Sequence, residues 1–183
     1  MSQKILVVVG SPRVGGNTDQ LADAFMRGLQ ENNHSVKKIH LAKVKVNPCL
    51  GCEQCFRNGT PCVQKDDMND ILKDVEQADL IVFACPVYFS NLTAQMKMFI
   101  DRFYCMYHQY HAFPKKETML LMTAGGPVPT SFQTSMDYFD YTVVNFMGWK
   151  DRGKILVGGV HDKNDIQNTD GLEKAYAFGK TIV

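Results

Sequence analysis

The chain alternates short apolar runs with segments of helical periodicity, and this alternation limits its fold more than any other feature. The apolar runs are residues 5–9, 36–41, 80–85, 118–123 and 155–160. The first run is continuous and rich in β-branched residues, as expected for a strand buried on both faces of a parallel sheet. Between the runs, apolar residues recur every three or four positions, which is helical spacing. The pattern predicts five strands joined by helices in a doubly wound α/β domain.

At this size the natural strand order is 2-1-3-4-5, with right-handed crossovers. We therefore expect a flavodoxin-like, three-layer α/β/α fold around a five-stranded parallel sheet. The second run is less apolar than the others, so it should lie at or near an edge of the sheet. No internal repeat, low-complexity tract or linker interrupts the sequence. We expect a single flavodoxin-like domain over residues 1–183.

Charge and composition argue against several classes of function. The formal net charge is only +1, and lysine and arginine form no cluster, so a nucleic-acid or membrane-surface partner is not expected. The longest apolar run, residues 80–89, is shorter than the roughly 20 residues needed to span a bilayer. The first residues lack the layout of a signal peptide. We expect a cytoplasmic protein whose six cysteines are thiols or metal ligands rather than disulfides.

The segment 10–18, Gly-Ser-Pro-Arg-Val-Gly-Gly-Asn-Thr, links the first strand to a helix. Its glycines allow backbone N–H groups to converge, and the helix N-terminus that follows favours an anion. A P-loop requires a lysine directly before Thr18, where this chain has Asn17. Pro12 stands in place of the second glycine of the dinucleotide fingerprint. The loop is therefore predicted to bind a single monophosphate. The residues that would contribute are Ser11, Arg13, Gly16, Asn17 and Thr18.

Two further segments extend this pattern and carry a resemblance to a known family. Residues 86–89 are Pro-Val-Tyr-Phe, and Lys97 is followed by Asp101 and Arg102. With the segment 10–18, they resemble the NAD(P)H-dependent FMN reductase family. The resemblance implies that Ser11, Arg13, Asn17 and Thr18 hold the FMN phosphate. It also implies that the loop after the third strand lines the isoalloxazine ring, through Pro86, Val87, Tyr88 and Phe89.

The loop after the fourth strand is a weaker candidate for the other side of the ring. Its paired glycines permit close backbone contact with a ligand, although Gly-Gly-Pro is also a common turn. The residues concerned are Thr123, Ala124, Gly125 and Gly126.

The resemblance implies an enzyme that takes electrons from NADH or NADPH. The electrons would pass through bound FMN to a small acceptor, such as a quinone, an azo or nitro compound, or free flavin. The cofactor carries this chemistry, so no side chain is assigned a catalytic proton transfer. A protein electron carrier is the alternative, although the near-neutral charge does not resemble the acidic docking face usual in such carriers.

A cysteine cluster follows the second strand: Cys49, Cys52, Cys55 and Cys62. Short C-x2-C repeats can wrap a [4Fe–4S] cluster, and the spacing resembles that of iron-sulfur flavoproteins, which would make these four cysteines its ligands. A four-thiolate zinc site would use the same residues, and free or redox-active thiols near a flavin are also compatible. If a cluster is present, an iron-sulfur flavoprotein electron carrier becomes the alternative function.

Five Phe and Tyr residues fall within residues 103–113. One helix face of a monomer cannot bury all of them, and exposed apolar patches often mark interfaces. We therefore expect a homodimer or a higher homo-oligomer in which this tract packs against the partner.

Overall fold

The computed structural model describes residues 2–58, 61–110 and 112–183, with the side chains of residues 108–110 excepted. The strands are β1 (Lys4–Val9), β2 (Ser35–His40), β3 (Leu80–Pro86), β4 (Glu117–Thr123) and β5 (Lys150–Val157). The helices are α1 (Asn17–Gln30), α2 (Gln54–Asn58), α3 (Met68–Gln77), α4 (Ala94–Asp101), α5 (Tyr104–Tyr110), α6 (Gln133–Phe139) and α7 (Gly171–Thr181). All four strand pairs are parallel, in the order β2-β1-β3-β4-β5. The flavodoxin-like fold and its strand order are confirmed.

The sheet separates two apolar layers, as strand alternation requires. Leu6 and Val8 of β1 pack with residues of α3, α4 and α6 on one face. Val7 and Val9 pack with residues of α1 and α7 on the other. Every residue of β3 is buried, whereas β2 forms an edge and is buried only at its end. The lower apolar content of the second run predicted this edge position correctly.

The fifth strand differs from its prediction at both ends. It begins at Lys150 and ends at Val157, whereas the apolar run covers residues 155–160. The first half is polar because β5 is the other edge of the sheet, where burial does not demand apolar residues. Gly159, with a φ of 72°, turns the chain after the strand.

Two segments that the apolar pattern predicts as continuous helices are divided in the structure. The apolar spacing continues from Met96 to Phe103, but α4 ends at Asp101 and α5 starts at Tyr104. At the break, the side chain of Arg102 turns inward to a buried carboxylate. The later pattern, up to Met147, forms α6 followed by a π-helical stretch, Asp140–Phe146. None of the helices in the described ranges is long and apolar enough to cross a membrane.

The aromatic tract is partly buried. Phe103 is buried, whereas Tyr107 is 37% exposed and forms a ring cluster with Phe113 and Phe146. Tyr104 is 39% exposed, and the side chains of residues 108–111 lie outside what the structure describes. The packing of a second copy on this surface stays a prediction.

Helices α1 and α7 cross at two glycines, Gly28 and Gly179. A Cβ on Gly28 would lie 2.2 Å from the carbonyl oxygen of Tyr176 and 2.9 Å from the Cα of Gly179. We expect Gly28→Ala to lower the free energy of unfolding by about 2–3 kcal/mol. Helix propensity alone would favour alanine by about 1 kcal/mol. The expected loss of stability must therefore come from the backbone clash.

Denaturant unfolding measures this effect, with Gln30→Ala as the control. Gln30 is exposed on the same helix, and its replacement should change stability by less than about 0.5 kcal/mol. A Gly28→Ala protein as stable as the parent would contradict the close crossing.

Candidate functional site

A cleft of about 200 Å³ opens at the carboxyl end of the sheet. It lies where the loops after β1, β3 and β4 meet, as the switch in strand order predicts for this fold. Eleven of the thirteen residues predicted for a cofactor line it: Ser11, Arg13, Gly16, Asn17, Thr18, Pro86, Val87, Tyr88, Thr123, Ala124 and Gly125. Phe89 and Gly126 are not among the lining residues, whereas Val160 and His161 are.

The first loop presents an uncapped helix N-terminus to the cleft. Gly16 is the N-cap residue of α1, with an extended backbone, and within the described chain no side chain caps the helix. The first N–H groups of a helix have no intrahelical partner, so those of the first turn remain available beside Thr18. Backbone donors of this kind, together with the positive end of the helix dipole, suit a phosphate group.

Neighbouring elements hold the first loop in place. Thr93, the N-cap residue of α4, donates its hydroxyl to the Gly10 carbonyl at 2.6 Å. The hydroxyls of Thr18 and Thr123 lie 2.7 Å apart and are buried, which joins the loop after β1 to the end of β4. The Ser11 hydroxyl closes a local turn by accepting from the Arg13 N–H at 3.1 Å. Hydrogen bonds within the protein therefore hold the cradle in shape.

The segment after β5 also borders the cleft, which the sequence did not reveal. The Asn17 amide donates to the Asp162 carbonyl at 2.8 Å, and the Arg13 guanidinium donates to the His161 carbonyl at 3.5 Å. Two predicted phosphate ligands therefore also anchor this segment. The strand order predicts a ligand site at the ends of β1, β3 and β4. Only the position of His161, near the end of a fifth strand, could have indicated that it borders the cleft.

The loop after β3 supplies one wall of the cleft through Pro86, Val87 and Tyr88. The Val87 N–H donates to the Thr123 carbonyl at 2.8 Å, which joins this wall to the loop after β4. Phe89 and Ser90 have φ values of 46° and 62°, a region that bulky residues rarely adopt. This turn leaves the Phe89 side chain fully exposed. A Phe in a left-handed turn has no signature in the sequence, so its position could not be foreseen.

The loop after β4 contributes Ala124 and Gly125 to the opposite wall. A Cβ on Gly125 would lie 2.8 Å from Cδ2 of His161, so the glycine allows this ring to approach. Gly126 instead packs against Ser131, whose Oγ lies 2.1 Å from the position of a Cβ on the glycine.

Lys97, Asp101 and Arg102 have separate roles. Lys97 and Asp101 form an exposed i,i+4 ion pair, as their spacing predicts. The Arg102 guanidinium binds both carboxylate oxygens of Asp66, at 2.6 and 3.0 Å, and both side chains are buried. Burial alone would raise the pKa of Asp66, but hydrogen bonds from Arg102 and from the Asn47 N–H outweigh it and hold the pKa below its usual value.

The four predicted metal ligands, Cys49, Cys52, Cys55 and Cys62, line one cavity with Arg102 and Cys105. The void between them is small, about 20 Å³, and Cys49 and Cys52 are exposed. Arg102 contributes a buried Nε–H with no hydrogen-bond partner in the described part of the chain. Cys105 donates its thiol to the Arg102 carbonyl at 3.1 Å, and burial raises the pKa of this thiol to about 11, so it remains protonated.

The four cysteines provide the donor set of an iron–sulfur cluster or of a four-thiolate zinc site. Among the described residues, no three Cys, His, Asp or Glu side chains are placed to hold one ion. In a cluster each thiolate binds a different iron atom, so the sulfurs need not converge on one point. An unpaired buried N–H beside the cavity also suits sulfur acceptors, since hydrogen bonds to such sulfurs are common in cluster sites.

Comparison with known proteins supports the family resemblance. The sequence profile described as NADPH-dependent FMN reductase matches residues 3–136. An "Iron-sulfur flavoprotein" of Archaeoglobus fulgidus is 43% identical over 99 residues, 54% of this chain and 44% of that protein. Another, from Methanosarcina thermophila, is 32% identical over 155 residues, 85% of this chain and 77% of that protein. The chain spans about half the length of the first curated relatives that it matches.

The fold likeness extends over the whole chain. The "NAD(P)H:quinone oxidoreductase from Methanothermobacter marburgensis" has a TM-score of 0.79 at 17% identity, covering 100% of this chain and 98% of that one. At this identity the match establishes the fold alone. The profile match covers most of the chain and includes all three segments that carried the resemblance. The chain therefore belongs to the NADPH-dependent FMN reductase family, a family of FMN-dependent oxidoreductases.

Proposed function

We propose that this chain binds FMN in the cleft at the carboxyl end of the sheet and acts as an NAD(P)H-dependent oxidoreductase. The observation that carries the proposal is the uncapped N-terminus of α1, whose residues line the same cleft as Pro86, Val87 and Tyr88 of the loop after β3. The phosphate would bind the first-turn N–H groups, with Ser11 and Thr18 beside it and Arg13 supplying a positive charge. Asn17 would hold the segment after β5 against this end of the cleft.

The ring would lie between two walls. Pro86, Val87 and Tyr88 would cover one side, while Thr123, Ala124 and Gly125 approach the other. We keep Phe89 and Gly126 as outer parts of these two loops, since neither lines the cleft. When bound, FMN would supply the hydride and electron chemistry. The protein's part is to orient the ring, exclude water from one face and leave the other accessible to a nicotinamide and an acceptor.

A small electron acceptor is the proposed second substrate. The chain has the family profile of an NADPH-dependent FMN reductase, and it shares its fold with proteins described as a quinone oxidoreductase and an azoreductase. Steady-state oxidation of NADH or NADPH should saturate with a quinone or azo acceptor and should depend on added FMN. Protein that holds FMN but turns over neither nucleotide with any acceptor would contradict the enzymatic proposal and favour an electron carrier.

A second proposal concerns the cysteines: Cys49, Cys52, Cys55 and Cys62 would hold a [4Fe–4S] cluster. Its support is their common cavity, the unpaired Arg102 Nε–H beside it and the "Iron-sulfur flavoprotein" name of several relatives. The cluster would supply one-electron transfer. The chain's own part is to provide four thiolates and to anchor their loop through Asp66 and Arg102.

Iron and acid-labile sulfide analysis of anaerobically purified protein tests this second proposal. We expect both in the parent and their loss in Cys62→Ser. Cys105→Ala is the control, because the Cys105 thiol already donates a hydrogen bond to a backbone carbonyl. This variant should retain iron. Parent protein without iron would contradict the proposed cluster. This holds whether the cysteines then bind zinc or remain free thiols.

We also propose that the protein forms a homodimer through the surface that includes Tyr107, Phe113 and Phe146. Phe146 is 63% exposed, which is unusual for so large an apolar side chain outside an interface. Sedimentation equilibrium should give a dimer, and a monomer at micromolar concentration would contradict the proposal.

A further inference from the structure

A buried carboxylate shapes the first loop. Asp19, in the first turn of α1, has a side chain only 6% exposed. Its Oδ2 accepts the N–H of Gly15 at 2.7 Å, and Gly15 has a φ of 69°, a conformation that favours glycine. The carboxylate thus fixes the backbone of the loop two residues before the helix starts.

Strand β2 provides the countercharge. Lys38 forms an ion pair with Asp19 and a second with Asp23, the latter at 2.6 Å. His40 lies alongside, with its Nε2 at 3.6 Å from Oδ2 of Asp19. Its Nδ1 accepts the Ala42 N–H, so the neutral ring carries its proton on Nε2, towards the carboxylate.

The contacts of Asp19, Lys38 and His40 determine their charges. Burial would raise the pKa of Asp19, but hydrogen bonds from Lys38 and the Gly15 N–H outweigh it, so the pKa lies below its usual value. Burial would lower the pKa of Lys38, but its bonds to Asp19 and Asp23 raise it overall. Burial lowers the pKa of His40. At neutral pH Asp19 is therefore a carboxylate, Lys38 an ammonium and His40 a neutral imidazole.

A carboxylate in this place conflicts with an anion site. The N-terminus of α1 attracts any negative charge, and an uncompensated Asp19 would repel a phosphate bound at the same turn. Its hydrogen bond to Gly15, however, sets the shape of the loop that would contact the phosphate. Both requirements are met only if another residue cancels the charge, and Lys38 is placed to do so.

We propose that Asp19 and Lys38 are positioning residues of the phosphate subsite: Asp19 fixes the Gly15 N–H, and Lys38 neutralises Asp19 so that the loop accepts a dianion. The inference rests on the proposed FMN site and adds residues that the loop motif does not contain. Because both act only on the phosphate end of the cleft, they should affect FMN binding and leave riboflavin, which lacks the phosphate, unaffected.

Dissociation constants for FMN and riboflavin, measured by flavin fluorescence on the full chain, test the inference. Lys38→Met should weaken FMN binding about tenfold, because an uncancelled carboxylate then lies near the phosphate. Riboflavin binding should change less than about twofold. Adding Asp19→Asn to Lys38→Met should restore most of the FMN affinity, since the amide oxygen can still accept the Gly15 N–H without the charge. Asp19→Ala, which removes the acceptor, should weaken FMN binding and not riboflavin binding.

Lys37→Met is the matched control. Lys37 is the neighbouring residue of β2, and its ion pair is with Asp74 at 2.7 Å, away from the loop. The Lys37→Met variant should bind FMN and riboflavin as tightly as the parent does. Equal losses for FMN and riboflavin in Lys38→Met, or no loss in either, would overturn the inference while the FMN site itself stands. A parent that binds no FMN would overturn the proposed function and the inference together.

Discussion

Replacing Asp66 by Asn is expected to lower the free energy of unfolding by about 3–5 kcal/mol, because it leaves the guanidinium of Arg102 buried without a countercharge. The two side chains are 0% and 1% exposed, so water cannot compensate. The substitution keeps the shape and leaves an oxygen for the Asn47 N–H, which Asp66 accepts at 2.8 Å. The lost stability therefore reports the charge together with the Met68 N–H and Arg102 hydrogen bonds that the second carboxylate oxygen accepts. A loss of this size is a large fraction of the roughly 5–15 kcal/mol that stabilises a typical domain.

Asp67→Asn is the matched control for denaturant unfolding. Asp67 is the adjacent carboxylate, is exposed and accepts the Lys45 N–H at 2.7 Å. Its replacement should cost less than about 1 kcal/mol. If Asp66→Asn does not fold, Asp66→Asn combined with Arg102→Met should, because it removes both buried charges. Equal costs at positions 66 and 67 would contradict the importance of the buried pair.

The same pair predicts a pH dependence. The pKa of Asp66 lies below its usual value in the folded protein, so the folded state binds fewer protons than the unfolded state over the acidic range. Its contribution to stability is complete above the ordinary carboxyl pKa of about 4 and is lost as the pH falls through the lower, folded value. The parent should lose more stability than the Asp66→Asn, Arg102→Met variant on acidification, and identical slopes would contradict this assignment.

Gly16→Asp is expected to change stability and FMN binding in opposite directions. Gly16 has the extended backbone of an N-cap, with φ −78° and ψ −178°. An aspartate there can accept the N–H groups of the first turn, which stabilises a helix by about 1 kcal/mol relative to alanine and by a few tenths of that relative to glycine. The same carboxylate would occupy the proposed phosphate subsite and repel the phosphate. We therefore expect FMN affinity to fall at least about 100-fold, equivalent to roughly 2.7 kcal/mol.

Gly16→Ala separates the carboxylate from crowding. A Cβ at this position would lie 3.0 Å from the Arg13 carbonyl oxygen, so both variants share a small steric cost. Relative to Gly16→Ala, the aspartate variant should melt at a higher temperature without flavin and bind FMN far more weakly. If both variants bind FMN equally, the phosphate does not lie at this helix terminus.

The sequence predicted the parts of the site that depend on local backbone chemistry. The apolar runs and the glycines of the first loop are enough to place Thr18 and Gly125 at the same edge of the sheet. Packing between distant segments could not be foreseen. Nothing in the sequence indicated that Arg102 pairs with Asp66, because the two residues lie 36 positions apart and meet only through tertiary packing. His161 and Lys38 contribute through tertiary contacts that no spacing rule encodes.

The central claim is that FMN binds with its phosphate at the N-terminus of α1, and a crystal structure of the protein saturated with FMN tests it most directly. We predict that the phosphate oxygens accept the backbone N–H groups of the first turn, beside Thr18, and that the ring lies against Tyr88. Electron density for the flavin at another place, with the turn at Gly16 free of phosphate, would contradict the account.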